Sequence, residues 1–357
     1  MKYVLIFFML GFPIGVIAQQ LTNIESVEYD PVQSRFLVSN GNRVIEVDGD
    51  GQPVGYFGTA PRADFGMEVM DGKLFTIVSS SVRAYDLATS LQVMNTPVSG
   101  AQFLNGMASD GNGRIWVTDF TAKKIYELDV SDLNSPVVTE VVSSTGQTPN
   151  GVTYDGANNR LVFVTWGAQA RIKQVDLTTY EVSDLLLTSL TNMDGIDHDG
   201  EGNFYTSSWQ PTPRIMRFSE EFTVEEQLTA PGLSSPADIC YAMEIDTLAI
   251  PNSSSSTVTF LGFSSASVVD RSITPDLVCH PNPITESSYL EFKLPLSGLT
   301  RIVLTDPAGR EVMVILEENL SAIRHKIALT GLAIRPGVYI CTVRQGSYVA
   351  SVRVSKT

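Results

Sequence analysis

Six positions in the sequence, each at the start of a short apolar stretch, could meet to bind a cation. In chain order they hold Glu25, Gly66, Asn105, Asn150, Asp194 and Ala237. Four of the six offer oxygen ligands, two of these are carboxylates, and none is lysine, arginine, histidine or cysteine. Oxygen ligands without nitrogen or sulfur suit Ca²⁺, Mg²⁺ or Mn²⁺ and disfavour zinc and copper. The residue types therefore predict a site for a divalent cation, above all Ca²⁺.

Turn chemistry is the alternative explanation for three of these residues. Asn105, Asn150 and Asp194 each precede a glycine. Asn or Asp before Gly is common in tight turns, because both residues tolerate a left-handed backbone. Glu25 precedes Ser26 and is a poor turn residue, so turns alone do not account for the whole set.

The elements that carry these positions form an internal repeat. Each position opens one apolar stretch, and a second alternating stretch follows after a turn, as in 149–155 and 160–165. Successive positions lie 39–45 residues apart, which is typical of the blades of a β-propeller. Six copies predict a six-bladed β-propeller over residues 19–263. Because the innermost strands of a propeller line its channel, we expect the six positions to lie around one mouth.

Strand patterns run through nearly the whole chain, and no stretch is a convincing amphipathic helix. The predicted fold class is therefore all-β. The second strands of four repeats carry an aromatic residue at an equivalent position, and we expect these rings to pack between blades. They are Phe75, Trp116, Phe163 and Tyr205. Cys240 lies in an apolar stretch of a chain with three cysteines, so we expect it to be a buried free thiol.

The N-terminal segment predicts export. Residues 1–18 combine a single Lys2, an apolar run broken by Pro13, and small residues before Gln19, which is the pattern of a cleaved signal peptide. The run is shorter than the ~20 apolar residues of a spanning helix, so a membrane anchor is the weaker alternative. No transmembrane segment is expected once the signal peptide is removed.

Composition divides the chain near residue 270. Residues 1–270 carry 14 Lys and Arg against 32 Asp and Glu, a net charge of −18, whereas residues 271–357 carry a net charge of +3. An acidic body argues against nucleic acid or anionic lipid as a partner and is compatible with a cation. The serine-rich stretch between the two parts predicts a linker at 264–274.

The tail at 275–357 predicts a separate small β-sandwich of about seven short strands. Its motifs are Pro-Asn-Pro at 281–283, Asp-x-x-Gly-Arg-Glu-Val at 306–312 and Pro-Gly-Val-Tyr at 336–339. In order and spacing they resemble the C-terminal sorting domain of type IX secretion in Bacteroidota, with departures at Cys279 and Ile323. The resemblance implies a tail that the outer-membrane translocon reads and removes, and hence export through the periplasm to the cell surface or medium. The sequence leaves open a disulfide between Cys279 and Cys341.

The first part of the chain, at about 22–263, resembles the regucalcin and gluconolactonase family of six-bladed, calcium- or zinc-dependent lactone hydrolases. Glu25 in Glu-Ser-Val-Glu-Tyr is similar to the family's metal-binding Glu, and Asn150 in Pro-Asn-Gly to its metal-binding Asn. Asp194 in Met-Asp-Gly-Ile-Asp is similar to the metal-binding Asp that also serves as the catalytic base. Asn105 in Leu-Asn-Gly is similar to the pocket Asn that contacts the substrate. The resemblance implies hydrolysis of a lactone or a sugar-derived ester.

Two departures weaken the substrate assignment more than the metal site. Phe103 stands where many of these hydrolases carry a substrate-binding Arg, and Val27 stands in place of a Pro. A Ser-His-Asp triad lacks a base, because His198 falls in a predicted solvated hairpin at 197–202 and the other two histidines lie in the tail. Two hypotheses remain. The first is a metal-dependent lactonase, and the second is a non-catalytic extracellular binding propeller with a structural ion or none.

Overall fold

The computed structural model describes eight stretches of the chain: 20–263, 277–285, 287–294, 298–305, 310–320, 324–332, 334–345 and 348–356. They form two compact units that divide between Phe263 and Ser264. The signal peptide predicted at 1–18 and the linker predicted at 264–274 lie outside the described stretches and stay predictions. Within the described stretches, no helix has both the length and the apolar character needed to cross a membrane.

The first unit consists of six consecutive antiparallel sheets. The first sheet has β1 Ile24–Asp30, β2 Arg35–Asn40, β3 Arg43–Val47 and β4 Pro53–Tyr56. The second has β5 Met67–Met70, β6 Lys73–Val78, β7 Ser81–Asp86 and β8 Gln92–Pro97. The third has β9 Leu104–Ser109, β10 Arg114–Asp119, β11 Lys124–Asp129 and β12 Val137–Val142. The fourth has β13 Pro149–Asp155, β14 Arg160–Thr165, β15 Arg171–Asp176 and β16 Val182–Leu187.

The fifth and sixth sheets complete the first unit. The fifth has β17 Thr191–His198, β18 Asn203–Gln210, β19 Arg214–Ser219 and β20 Glu225–Leu228. The sixth has β21 Cys240–Ala242, β22 Thr247–Asn252 and β23 Thr257–Gly262, with a single turn of 3₁₀-helix at Met243–Ile245. Five sheets thus have four strands, and the sixth has three within the described stretches.

The six sheets are arranged in a closed ring. The first strand of each sheet contacts the first strand of the next, and β21 of the last sheet contacts β1 of the first. At the closure, the Asp238 N–H donates to the Glu25 carbonyl oxygen at 3.0 Å. The six first strands therefore surround one channel, which is the arrangement that the repeat predicts.

Apolar cores fill the spaces between neighbouring sheets. The four aromatic residues of the second strands are at most 2% exposed, so their predicted packing role is confirmed. They are Phe75, Trp116, Phe163 and Tyr205. Trp116 packs with Leu161 and Phe163 of the following sheet, for example. Because a sheet alone would expose these rings to water, their burial explains why the repeats stack. Cys240 is buried and free, also as predicted.

Within its described stretches, the second unit has seven strands in two antiparallel sheets. One sheet has β24 Val278–His280, β25 Tyr289–Lys293 and β28 Arg324–Ala328. The other has β26 Gly298–Thr305, β27 Glu311–Leu320, β29 Gly337–Gln345 and β30 Tyr348–Lys356. Residues of both sheets, such as Phe292 and Leu304, share one apolar core. Cys279 and Cys341 are buried in this core as free thiols, so the disulfide that the sequence left open is absent from the structure.

Candidate functional site

The first strands of neighbouring sheets approach closely because they carry glycine near their start. A Cβ atom on Gly106 would lie 2.5 Å from the carbonyl oxygen of Asn150. A Cβ atom on Gly151 would lie 2.6 Å from the carbonyl oxygen of Asp194. Real Cβ atoms do not approach a carbonyl so closely, so only glycine fits at these positions. The Asn-Gly and Asp-Gly pairs of the sequence therefore serve strand packing.

The same register corrects the position assigned to the second sheet. Gly66 donates its N–H to the Asn105 carbonyl oxygen at 2.9 Å, and a Cβ atom on Gly66 would lie 2.4 Å from that oxygen. Gly66 is thus the counterpart of Gly106, and the prediction that it faces Asn105 in the ring was wrong by one residue. Phe65 takes that place, because β5 is short and begins only at Met67. We name the six residues at this level the ring layer: Glu25, Phe65, Asn105, Asn150, Asp194 and Ala237.

Three predicted site residues in the ring layer are joined by hydrogen bonds. Asn105 Nδ2 donates to Asn150 Oδ1 at 2.6 Å, and Asn150 Nδ2 donates to Asp194 Oδ1 at 3.0 Å. All three side chains are buried. Residues that lie 45 and 44 positions apart in sequence therefore form one continuous polar chain across three sheets.

Hydroxyl groups near the ends of the second strands support this layer. Thr118 Oγ1 accepts from the Gly106 N–H at 2.9 Å and donates to the Asn150 carbonyl oxygen at 2.8 Å. Ser207 makes the equivalent pair of bonds between the fifth and sixth sheets, at 2.7 and 2.8 Å. In the first sheet, Ser39 Oγ accepts from the Glu25 N–H at 3.0 Å. These bonds pair backbone groups that the ladder leaves free where the first strands bulge.

Glu25 and Asp194 are two carboxylates without a positively charged partner. Neither makes an ion pair with Lys, Arg or His in the described part of the chain. Burial raises the pKa of Glu25. Burial, and then the negative charges of Glu25 and Asp238, raise the pKa of Asp194 well above its usual range. Glu25 and Asp194 both belong to the ring layer, and no basic side chain of the described residues balances their charge.

A second group of carboxylates lines the channel further along the first strands. We name it the deep layer: Glu28, Glu68, Asp197 and Asp238. These residues line a cavity of about 260 Å³. The Val69 N–H donates to Glu28 Oε2 at 3.3 Å, and Ser109 Oγ donates to Glu68 Oε1 at 2.9 Å. Burial, and then the neighbouring carboxylates, raise the pKa of Glu28 well above its usual range.

Asp197 and Asp238 complete the deep layer. Asp197 Oδ2 accepts from the Tyr241 N–H at 2.6 Å, and Asp238 Oδ2 accepts from Ser26 Oγ at 3.0 Å. Burial raises the pKa of Asp197, and it raises the pKa of Asp238 to about 8 against the opposing hydrogen bond from Ser26. Asp238 also interacts with Glu25, so it links the deep layer to the ring layer.

Sequence analysis missed the deep layer, although a signal was present. Glu28, Glu68 and Asp197 each lie three positions after a ring-layer residue, on the same first strands. The interpretation of 197–202 as a solvated hairpin was wrong at its start. Asp197 faces the cavity, and His198 ends β17 with Nε2 at 2.9 Å from the Tyr154 carbonyl oxygen. Only the residues after His198 form the turn.

Aromatic rings follow one another along the edge of the sheets where the ring layer lies. We name them the aromatic arc: Phe65, Phe103, Phe120, Trp166 and Trp209. Successive ring centroids are 4.6, 5.3, 6.0 and 4.9 Å apart. Phe103 precedes β9, whereas Phe120 and Trp166 follow β10 and β14, and antiparallel neighbours bring these strand ends to one edge. All five rings are half-buried, so the mouth beside the ring layer presents apolar surface.

The donor set of the ring layer fits a hard cation after one adjustment. Asn150 now turns its Nδ2 toward Asp194, and its Oδ1 accepts from Asn105. Rotating both amide groups by 180° keeps the bond between the two asparagines and places the Asn150 oxygen beside Asp194. The rotation also breaks the bond that Asn150 Nδ2 donates to the Met193 carbonyl oxygen at 3.3 Å, so a cation would have to offset the repulsion between these oxygens. Among the described residues, no group of three or more His, Cys, Asp or Glu side chains is arranged to hold a metal. A cation here thus needs the amide oxygen in addition to the carboxylates.

No model of a known family matches the sequence, and no curated protein sequence matches it either. Solved structures are similar in fold. A calcium-binding regucalcin from Agrobacterium tumefaciens is 15% identical, with 68% of this chain and 91% of that chain covered and a TM-score of 0.53. A gluconolactonase from Xanthomonas campestris is 15% identical, with 69% and 87% covered and a TM-score of 0.55.

A third structure is longer than this chain. PorZ, a surface component of the type IX secretion system of Porphyromonas gingivalis, is 15% identical with a TM-score of 0.45. The alignment covers 94% of this chain but only 51% of PorZ, so the chain spans about half the length of that protein. Such a loose likeness supports no inference.

At 15% identity, the likeness to regucalcin and gluconolactonase establishes the fold alone. The chain is therefore an all-β protein with the propeller-type fold found in those two structures.

Proposed function

We propose that the first unit is a divalent-cation-dependent hydrolase of lactones or related esters. The observation that carries this proposal is the hydrogen bond between Asn150 and Asp194 in the ring layer, which also contains Glu25. Neither carboxylate has a basic partner among the described residues. The cation is Ca²⁺ by preference, held by Glu25, Asn150 and Asp194, because oxygen donors alone favour hard cations. The propeller fold shared with regucalcin and gluconolactonase is compatible with this function.

The reaction needs a polarised carbonyl, a positioned water and a base. A bound cation would act as a Lewis acid toward the ester carbonyl. Asp194 accepts the proton of the attacking water, because it is the carboxylate that ends the chain of hydrogen bonds from Asn105 through Asn150. Asn105 orients the substrate, because its amide bonds to Asn150 and forms the end of the hydrogen-bonded series that is farther from Asp194. The half-buried aromatic arc excludes water from one side of the mouth.

The test uses the purified full-length chain, calorimetry with Ca²⁺ and a panel of lactones. Asp194→Asn should weaken Ca²⁺ binding by about tenfold or more and abolish turnover, since it removes a charged ligand and the base. Asn105→Ala should bind Ca²⁺ normally and raise KM. Asp129→Asn, at an exposed carboxylate of β11, is the matched control and should change neither quantity. A chain that hydrolyses no lactone, or binds Ca²⁺ equally well with Asn at position 194, contradicts the proposal.

The aromatic arc favours one second candidate, a binding propeller without catalysis. Five adjoining rings provide stacking surfaces for a ligand, and the position where an Arg is expected in related hydrolases holds Phe103. On this alternative, Phe103→Ala lowers ligand affinity, Asp194→Asn leaves it unchanged, and no product forms on prolonged incubation. Product formation that requires Asp194 would exclude it.

For the second unit we propose a sorting role in type IX secretion, with the outer-membrane translocon as partner. The sequence motifs support this role, although 306–309 of the Asp-x-x-Gly-Arg motif lie outside the described stretches. In a host with that system, deletion of 275–357 should leave the protein in the periplasm, because the ring of six sheets closes without the tail. Fractionation and immunoblotting measure this. Secretion of the truncated chain at the normal level would refute it.

A further inference from the structure

Two arginines of the second sheet lack any partner. Arg62 lies in the segment before β5, and Arg83 is the third residue of β7. Among the described residues, neither side chain makes a hydrogen bond, an ion pair or a ring contact, and the Nε atom of each is buried without an acceptor. An Nε–H group that loses water without gaining an acceptor is destabilising, so such positions need an explanation. The unit that contains them is strongly acidic, which makes the lack of a carboxylate partner more informative.

The fourth sheet shows what the second sheet lacks. The third residue of β15 is Lys173, which lies opposite Asp184 of the outer strand and forms an ion pair with it. Arg83 occupies the same place in β7, but the residue opposite it on the outer strand is Asn95. Each of the two sheets thus has a basic residue at this position, but only the fourth sheet has a carboxylate opposite it.

Arg62 is fixed on the face of the sheet that carries Arg83. Thr76 Oγ1 donates to the Arg62 carbonyl oxygen at 2.7 Å, and the Arg62 N–H donates to Tyr85 Oη at 3.2 Å. Thr76 lies directly opposite Arg83 in the ladder, and Tyr85 is two residues further along β7. Side chains of opposite residues, and of residues two apart, share one face of a sheet. The backbone of Arg62 is therefore anchored at the face of the sheet that carries the Arg83 side chain.

We propose that Arg62 and Arg83 bind a doubly charged tetrahedral oxyanion, a phosphate or sulfate group. Two guanidinium groups carry two positive charges and up to ten N–H donors, which match an anion with several oxygens better than a single carboxylate does. No side chain of the described residues competes for them. Asp64, the acidic residue closest to Arg62 in sequence, accepts from the Ser79 N–H at 2.8 Å and pairs with neither arginine.

The experiment measures binding and thermal stability of the full-length chain in phosphate, sulfate and acetate, with chloride keeping the ionic strength equal. Phosphate or sulfate should raise the melting temperature more than acetate or chloride, because a ligand that binds only the folded state stabilises it. Arg62→Gln and Arg83→Gln should each weaken calorimetric binding by about tenfold or more, since each removes charge-assisted hydrogen bonds. Arg214→Gln is the matched control, because Arg214 bonds to Thr212 of its own turn. The difference between phosphate and sulfate identifies the preferred group.

A second variant keeps the test decisive if a glutamine variant folds poorly. Asn95→Asp places a carboxylate opposite Arg83, as Asp184 lies opposite Lys173 in the fourth sheet. This variant should raise the melting temperature in chloride and weaken anion binding by about tenfold, because Arg83 then has an internal partner. Equal stabilisation of the wild type by all four anions would overturn the proposal. Phosphate and sulfate binding that survives in Asn95→Asp would overturn it as well.

Discussion

The channel of the first unit carries two layers of carboxylates that are held in different ways. In the ring layer, Asp194 is linked through Asn150 to Asn105, so amide groups that can exchange donor and acceptor lie beside the charge. In the deep layer, Glu68 and Asp238 accept from hydroxyl groups and face a cavity. The two layers therefore differ in the neutral oxygens beside their carboxylates, because the ring layer offers amide groups and the deep layer offers hydroxyl groups.

The two layers also differ in backbone packing. Directly after four of the ring-layer residues, glycines allow neighbouring first strands to touch, whereas the deep layer surrounds open space. The ring layer should therefore tolerate added atoms poorly. The deep layer should be more sensitive to charge than to volume.

The largest expected effect comes from adding one methyl group at Gly151, directly after the ring-layer residue Asn150. In Gly151→Ala the new Cβ would lie 2.6 Å from the Asp194 carbonyl oxygen, so strands must move apart. We expect a loss of about 3 kcal/mol in the free energy of unfolding, or roughly 6–12 °C in Tm. Calorimetry of the full-length variant measures this. Gly55→Ala, where no atom lies within 4 Å, is the control, and an equal loss in both variants would contradict tight ring packing.

The next effect compares one carboxylate from each layer. Glu25→Gln should weaken Ca²⁺ binding by about tenfold or more, because it removes a charged ligand from the ring layer. Glu68→Gln changes charge by the same amount but lies in the deep layer, so it should alter the affinity by less than about threefold. Titration calorimetry at constant ionic strength measures the Ca²⁺ affinity of both variants. If Glu68→Gln proves the more damaging substitution, the cation site lies in the deep layer.

The pH dependence of stability should change when Ca²⁺ is added. The pKa of Asp238 is about 8 in the folded state, above its value of about 3.9 in unfolded chains, so the folded state binds more protons over this interval. Without Ca²⁺, the contribution of Asp238 to the free energy of unfolding is fully present below about pH 4. This contribution falls as the pH rises toward about 8. With saturating Ca²⁺ the fall should be smaller, because the ionised channel is then partly neutralised. Melting temperatures between pH 5 and 8, with and without chelator, measure the difference, and a chelator that changes nothing would contradict a bound cation.

The smallest expected effect isolates the residue that links the layers. Asp238→Asn removes one buried charge and keeps the size of the side chain, so the variant should gain about 1 kcal/mol at pH 8, or roughly 2–4 °C in Tm. At pH 5 the gain should be much smaller, because the carboxyl of the wild type is then protonated in the folded state and most of the loss lies between pH 5 and 8. A gain that is independent of pH would assign the effect to the hydrogen bond with Ser26.

Local sequence was enough to predict the repeat and most of the ring layer. The period is visible because each first strand must begin with a residue that permits close packing, which is why Asn105, Asn150 and Asp194 each precede glycine. The error at Phe65 has a local cause. β5 has four residues and is the shortest first strand outside the sixth sheet, so alignment on the longer second strand shifted the register by one.

The deep layer could not be predicted in the same way. Glu28 and Glu68 stand in strands that alternate between apolar and polar residues, and such a pattern usually places the polar residues in water. They face a cavity instead, because six first strands, each about 40 residues apart, meet around one axis. Burial of this kind depends on all the sheets together. The unpaired state of Arg83 likewise becomes visible only when Asn95 is seen opposite it in the ladder.

The contact between Ser26 and Asp238 has a consequence for the order in which the protein folds. These residues are 212 positions apart, and the contact joins the first sheet to the last. Most other contacts in the first unit lie within one sheet or between successive sheets, so they close much shorter loops. Since the entropy of loop closure grows with loop length, we expect this junction to form last and to open first. The lifetime of the closed ring should then depend on the whole junction, in which an apolar core with Val27 and Cys240 lies beside this hydrogen bond.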